Sequence, residues 1–184
     1  MPDNNLRCLW QVNRKQVIIM LAGAVVYGLL AWLTNIAQLP NLLVVSLRPA
    51  VAIPIVCGLV WGPLVGLGVG GLGTLLADFL TPGASVTLYW AVGGSLLGLA
   101  PGLAMPAMQQ YRTWRRYLLA EAAALAGVYL SLDYTVVRQV TYESLAPAVA
   151  WDGIFGPAFV SNSVNALILT PLLLWLYYRV FRSR

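Results

Sequence analysis

The side chains able to do chemistry in this chain of 184 residues are few, and they lie inside apolar runs. They are Arg48 and Arg138, Asp78 and Asp133, the amides of Asn162 and Asn165, and the hydroxyl of Ser95. Asn162 and Asn165 are three residues apart and Tyr134 and Arg138 four apart, so each pair shares a helix face. Histidine is absent, which excludes Ser-His and Cys-His nucleophilic pairs and HExxH zinc sites. Asp78 and Asp133 are the one couple an intramembrane aspartyl protease would have. Their flanks, Leu-Ala-Asp78-Phe-Leu and Ser-Leu-Asp133-Tyr-Thr, carry no local motif of such enzymes. Gly68-Val-Gly70-Gly-Leu-Gly73 satisfies GxGxxG, but it lies within an apolar run opened by Gly62-Pro63, with no preceding strand to make a dinucleotide site. No Walker A sequence occurs. Cys8 and Cys57 fit no paired-cysteine pattern and read as free thiols, with Cys57 a small packing residue. These residues predict no enzyme, no metal and no cofactor.

What must position them is a set of membrane helices. Sixty per cent of the residues are hydrophobic and nine per cent charged, against about 25% charged in a soluble domain. The net charge of +5 resides in basic residues that flank apolar runs, so the partner it implies is a lipid bilayer and not nucleic acid. Residues 1–15 are polar and basic, and the first apolar run continues to about Trp32, too long for the core of a cleavable signal. A transmembrane helix needs about 20 mostly apolar residues, and runs of that kind fall near 16–35, 48–61, 63–80, 89–108, 118–139 and 155–178. Pro63 after Gly62 separates the second from the third, and Pro40, Pro82-Gly83 and Pro147 mark other loops. The expected fold is an all-α, six-helix transmembrane bundle forming a single domain over 1–184.

Lysine and arginine orient it. Arg7, Arg14 and Lys15 precede the first run, Arg112, Arg115 and Arg116 separate the fourth from the fifth, and Arg179, Arg182 and Arg184 follow the sixth. With six spans all three clusters share one side, which places the N- and C-termini in the cytoplasm. Trp10, Tyr111, Trp114, Tyr117, Tyr177 and Tyr178 accompany these clusters as an inner aromatic belt, with Trp32, Tyr89, Trp90 and Trp151 as its outer counterpart.

Depth follows from a helical rise of about 1.5 Å per residue, counted from each cytoplasmic end. Arg48 comes out roughly 20 Å above the inner face, Asp78, Ser95, Asp133, Asn162 and Asn165 about 20–24 Å, and Trp32 about 24 Å. Arg138 and Tyr89 lie nearer the outer edge of a hydrocarbon layer about 30 Å thick. A charge at that depth facing lipid costs at least about 2.5–3.5 kcal/mol. Polar groups at one level therefore predict a shared cavity open to the outside, with Trp32, Tyr89, Trp90 and Tyr134 able to stack on a flat ring. The alternative is a set of interhelical ion pairs without a ligand.

Gly58, Gly62, Gly66 and Gly70 recur every four residues, as do Gly94, Gly98 and Gly102. Such small-residue stripes let helix backbones approach closely. Ala24, Gly28 and Ala31 give the first helix a similar stripe, which serves either internal packing or docking on another membrane protein.

The stretch Val45-Ser-Leu-Arg-Pro-Ala-Val-Ala-Ile-Pro54, with Gly58 and Trp61-Gly-Pro-Leu-Val-Gly66, resembles helices of the substrate-binding (S) components of energy-coupling factor vitamin transporters. So do Gly71-Leu-Gly-Thr-Leu-Leu-Ala-Asp-Phe-Leu80, the run from Trp90 to Gly102, and Gly156-Pro-Ala-Phe-Val-Ser-Asn-Ser-Val-Asn-Ala-Leu-Ile-Leu-Thr-Pro171. The resemblance covers about 16–178. It implies a cavity in the outer half closed by loops 1, 3 and 5. It also implies a docking face on the first helix, at Ala24, Gly28 and Ala31, for a transmembrane coupling protein driven by two ATPases. The implied cargo is a vitamin or vitamin precursor, with Trp32, Arg48, Asp78, Tyr89, Trp90, Ser95, Asp133, Tyr134, Arg138, Asn162 and Asn165 as candidate contacts. A membrane-embedded sensory module and a solitary secondary transporter are the competing readings.

Overall fold

The computed structural model describes residues 10–36, 48–82, 88–110 and 114–181. Arg7, Cys8, Pro40, Gly83, Tyr111, Arg112, Arg182 and Arg184, the start of the Val45 motif and most of loops 1 and 3 lie outside the described residues.

Asn13 and Gln16 start the first helix by capping each other. The Asn13 N–H donates to Gln16 Oε1 and the Gln16 N–H to Asn13 Oδ1, both at 2.9 Å, so two otherwise orphaned backbone donors are satisfied. Helix α1 then runs Arg14–Ile36. Gln16 Nε2 also donates to the Trp61 carbonyl at 3.0 Å, which fastens the start of α1 to the end of α2. A 3-10 turn, Pro49–Val51, leads into α2, Ala52–Trp61. Gly62 follows with φ 104°, a backbone conformation that only glycine adopts without strain. Pro63 then opens α3, Pro63–Leu80, where its missing N–H leaves no carbonyl unsatisfied.

The run expected over 89–108 is two helices, α4, Leu88–Gly102, and α5, Met105–Gln110. Pro106 has no N–H to offer the Gly102 carbonyl, so the ladder cannot pass; the Ala104 N–H closes a tighter turn on the Pro101 carbonyl at 2.9 Å. Helix α6, Trp114–Tyr142, is longer at both ends than the expected 118–139. A π-helical turn, Val149–Phe155, precedes α7, Gly156–Phe181. Among the described residues there are seven α-helices and no strand. Three segments, Arg14–Thr34, Pro63–Leu80 and Val149–Val180, are long and apolar enough to cross a membrane.

The glycine stripes are contact surfaces within the molecule. A methyl group on Gly66 would collide with the Gly98 carbonyl, one on Gly98 with the Gly66 carbonyl, and Gly70 and Gly94 oppose each other in the same way. Gly58 of α2 abuts the Gly98 carbonyl too, so α2, α3 and α4 meet backbone to backbone. The stripe on α1 also faces inward. A Cβ on Gly28 would lie 2.9 Å from the Gly73 carbonyl oxygen and from Leu76 Cδ2, and a Cβ on Gly73 would lie 2.9 Å from the Ala24 carbonyl oxygen. Ala24 and Gly28 are buried against α3. Of the three small residues expected as a docking face, Ala24 and Gly28 lie against α3 in this packing.

Helix α2 is buried between two apolar clusters. Ile55 and Leu59 pack with Val128, Leu132 and Leu174 of α6 and α7. Cys57 packs with Tyr27, Val65 and Val69 of α1 and α3, as a small core thiol. Ile18, Leu21, Val25, Phe79 and Ile168 point outward, an apolar surface suited to lipid.

Two substitutions test this packing. Gly98→Leu should destabilise the protein by about 3 kcal/mol, since the side chain must displace backbone, and Gly28→Leu should do likewise against Leu76. Ile168→Leu on the outward face serves as the control. Thermal melts in detergent, followed by size-exclusion profiles, give the order; a Gly98→Leu protein as stable as the control would refute the close contact.

Candidate functional site

Polar side chains on these apolar helices first satisfy themselves on their own backbone. The Thr74, Ser95 and Thr135 hydroxyls donate to the carbonyls of Gly70, Ala91 and Ser131 one turn back, at 2.8, 2.9 and 2.8 Å. Thr34 donates to the Leu30 and Ala31 carbonyls, both at 2.9 Å. Each hydroxyl oxygen keeps acceptor capacity for another partner.

Helical spacing then brings several of these groups to one place. Tyr27, Ala31 and Thr34 lie a turn apart on α1, Thr74, Ala77 and Asp78 on the last turns of α3, and Trp90, Gly94 and Leu97 on α4. With Arg48, Ala50 and Val51 ahead of α2, Ser131 and Leu132 of α6, and Asn162 of α7, they enclose a cavity of about 170 Å³. Tyr27 is 8% exposed; its hydroxyl lies near Thr74 and within the fields of both Arg48 and Asp78. Asn162 is 7% exposed, and its Oδ1 is buried with no hydrogen-bond partner among the described residues.

Of the candidate contacts read from the sequence, Arg48, Asp78, Trp90 and Asn162 line this cavity. So does Ala31, which had been assigned to docking. The others do not. Ser95 is packed against Gly71 at the contact of α3 with α4. Asn165 is turned into the bundle, its Nδ2 donating to the Ser161 carbonyl at 2.9 Å. The Arg138 guanidinium lies over the Tyr142 ring, 3.7 Å from its centre. Tyr89 is tilted against Trp90 with ring centres 5.8 Å apart, beside Gln139 of α6 and Glu143 just beyond it. Asp133 and Tyr134 are only partly buried, and Trp32 keeps its indole N–H buried without a hydrogen-bond partner among the described residues.

The reason for the split is azimuth. On α6 the buried line is Val128, Leu132, Thr135, Val136 and Gln139. Ser131 and Leu132 reach the cavity along that line, whereas Asp133 and Tyr134 are carried about 100° and 200° round the helix from Leu132. Depth counting missed Tyr27, Thr34, Thr74 and Ser131 because it followed charge and amides. The one-turn spacing of Tyr27, Ala31 and Thr34 was the available signal for the first two.

The cavity also has a definite end. Arg14 and Lys15 open α1, Arg115 and Arg116 open α6, and Arg179 closes α7. The lining comes instead from the last turns of α1 and α3, the turn ahead of α2 and the first turns of α4, so it lies at the opposite end. At the basic end Arg116 covers the Tyr178 ring and Arg179 the Trp175 ring, at 4.5 and 4.9 Å. Among the described residues no group of three or more metal-ligating side chains is found.

A sequence profile described as "ECF-type riboflavin transporter, S component" matches residues 11–179. A UPF0397 protein of Streptococcus pneumoniae serotype 19F is 27% identical over 172 residues, 89% of each chain. UPF0397 proteins of Vibrio atlanticus and Aliivibrio fischeri are 32% identical over 121 residues and 30% over 92. These two matches cover 62% and 50% of this chain and 64% and 49% of the relatives, so the chain spans about half to two thirds of their length. No solved structure matches.

Arg48 and Asp78 bring opposite charges to one cavity, so removing either takes away a favourable charge for the other. Asp78→Asn and Arg48→Gln should each lower stability by about 3 kcal/mol, and the double variant should lose less than the sum. Thermal melts of the three proteins measure the coupling; strictly additive losses would show that the two charges do not compensate each other.

Proposed function

The chain belongs to the ECF-type riboflavin transporter S component family, and on that premise we propose that it captures a water-soluble vitamin or vitamin precursor outside the cell. It then delivers this cargo to a transmembrane coupling protein driven by two ATPases. The family is one of transporter components and not of enzymes. The observation that carries the reading is the position of the cavity: a polar pocket between apolar helices, at the end away from Arg14, Lys15, Arg115, Arg116 and Arg179. By the positive-inside rule those basic residues mark the cytoplasmic side, so the pocket faces outward. On this reading the chain crosses the membrane six times, α2 and α4 being short spans completed by the turns that flank them.

Binding in such a pocket is a matter of exchange. A ligand leaving water must recover its hydrogen bonds from the protein. Tyr27, Thr34, Thr74, Ser131 and Asn162 supply donors and acceptors from four helices, while Trp90, Val51, Leu97 and Leu132 supply apolar contact for a ring. Because the lining comes from α1, α3, α4, α6 and α7 and from the turn ahead of α2, a bound ligand bridges nearly the whole set of helices. That gives the membrane partner a means of sensing occupancy, and rearrangement of the helices a means of release.

Two measurements test the proposal. Reporter fusions at the N- and C-terminus should both register the cytoplasm; a reporter on opposite sides would break the six-span topology. Cells expressing this chain together with its coupling protein and ATPases should accumulate labelled vitamin, and cells expressing the chain alone should not. Undiminished uptake by the chain alone would make it a solitary transporter.

A further inference from the structure

Arg14, Lys15, Arg115, Arg116 and Arg179 share the end of the bundle away from the cavity. Most of the described carboxylates lie elsewhere. Asp78 lines the cavity, and Asp133, Glu143 and Asp152 belong to the second half of α6, the residue after it and the π-helical turn. Glu121 is nearer the basic end, but both of its carboxylate oxygens are buried without a hydrogen-bond partner. It therefore bonds to none of these cations, and the basic end as a whole attracts anions.

On α7 that charge meets an apolar stripe. Ile168, Leu172, Trp175 and Arg179 are spaced by four, three and four residues, so they share one face of the helix. Ile168, Leu172 and Trp175 are 62%, 52% and 47% exposed, and Arg179 is exposed with them. At the helical rise, Ile168 and Arg179 are about 16 Å apart, close to half of a hydrocarbon layer about 30 Å thick. The stripe is one leaflet long and ends in a guanidinium.

Rings hold the guanidinium groups at that end. Arg179 lies over Trp175, 4.9 Å from the ring centre, and Arg116 of α6 lies over Tyr178 at 4.5 Å. Trp175 and Tyr178 are one turn apart, so cations from two helices flank the end of the stripe. Arg116 is only partly buried. A guanidinium with one face on a ring still presents its N–H edge, which matches a phosphate bidentately.

A soluble anion would use the arginines and leave the stripe bare, whereas an uncharged lipid would cover the stripe and leave the arginines unused. An anionic phospholipid uses both. The cytoplasmic leaflet, which the positive-inside rule assigns to this end, carries anionic headgroups. We infer that the outward face of α7 at the basic end binds one anionic phospholipid. Its phosphate is held by Arg116 and Arg179, and an acyl chain lies along Trp175, Leu172 and Ile168. The site needs the chain in a membrane with this end inward, and does not depend on which cargo the cavity takes.

The test uses the full chain, purified in detergent and stripped of lipid, with dioleoylphosphatidylglycerol and dioleoylphosphatidylcholine as probes. Native mass spectrometry should show one phosphatidylglycerol held about tenfold or more tightly than phosphatidylcholine. Arg116→Gln and Arg179→Gln should each weaken it about fivefold, and Trp175→Ala should weaken it too. Arg14 and Lys15 give the control, because they lie on the far side of α7. Gln16 bonds to Trp61, and Trp61 packs on Tyr177, about 180° round the helix from Ile168. Replacing both with glutamine should leave the bound lipid in place, and melts without added lipid show that each variant folds. Equal binding of the two lipids, or an equal loss in the Arg14 and Lys15 variant, would overturn the inference. So would full competition by glycerophosphoglycerol at the lipid's own concentration, since the stripe would then contribute nothing. A folded Arg116→Gln, Arg179→Gln protein that keeps the lipid but no longer assembles with the coupling protein would assign the surface to a protein partner instead. These readouts are separate from the uptake of labelled vitamin, so the lipid site and the importer reading can fail independently.

Discussion

The contact between α3 and α4 governs much of what this molecule can do. Lipid tails are as apolar as leucine, so membrane helices gain little by hiding hydrophobic surface from one another and hold together by close packing. Here the packing is backbone on backbone: Gly66 against Gly98 and Gly70 against Gly94, with Gly58 of α2 on the same seam. Any side chain at these positions would push the helices apart. The seam also sets the site. Thr74 donates to the Gly70 carbonyl and lies against Gly94, so the glycine contact runs directly into the cavity wall. Asp78 a turn further along α3 and Trp90 a turn earlier on α4 are brought to the same space by that approach.

The cavity places demands on a bundle that is otherwise apolar. Arginine and aspartate at membrane depth are expensive unless they face each other or water, and both line the same space here. Threonines and Ser95 reduce their own cost by bonding the preceding turn. Asn162 Oδ1 has no such local solution.

Helix α1 contributes directly to the cavity wall. Its small residues allow Tyr27 to lie between α1 and α3, with its hydroxyl near Thr74, and its next two turns supply Ala31 and Thr34 to the lining. The same smoothness that suggested an external docking face is used to bring the helix against α3. Its opposite side, with Ile18, Leu21 and Val25 exposed, is a lipid-type surface.

Much was legible in the sequence for reasons of solvent and rise. Sparse charge required lipid, Gly62-Pro63 required a break between α2 and α3, and the four-residue glycine periods required close helix contacts. A fixed rise per residue ranked Arg48, Asp78 and Asn162 in one polar level, with Trp90 among the rings beside it, and these four line one cavity. The same arithmetic admitted Ser95, Asp133 and Asn165, which lie elsewhere. Depth is a property of a single helix, since each residue advances it by a constant step. Azimuth is not: which side of α6 or α7 faces inward depends on how its neighbours pack. Only the tertiary structure could therefore place Ser131 in the cavity and Asp133 outside it, or turn Ala24 and Gly28 toward α3.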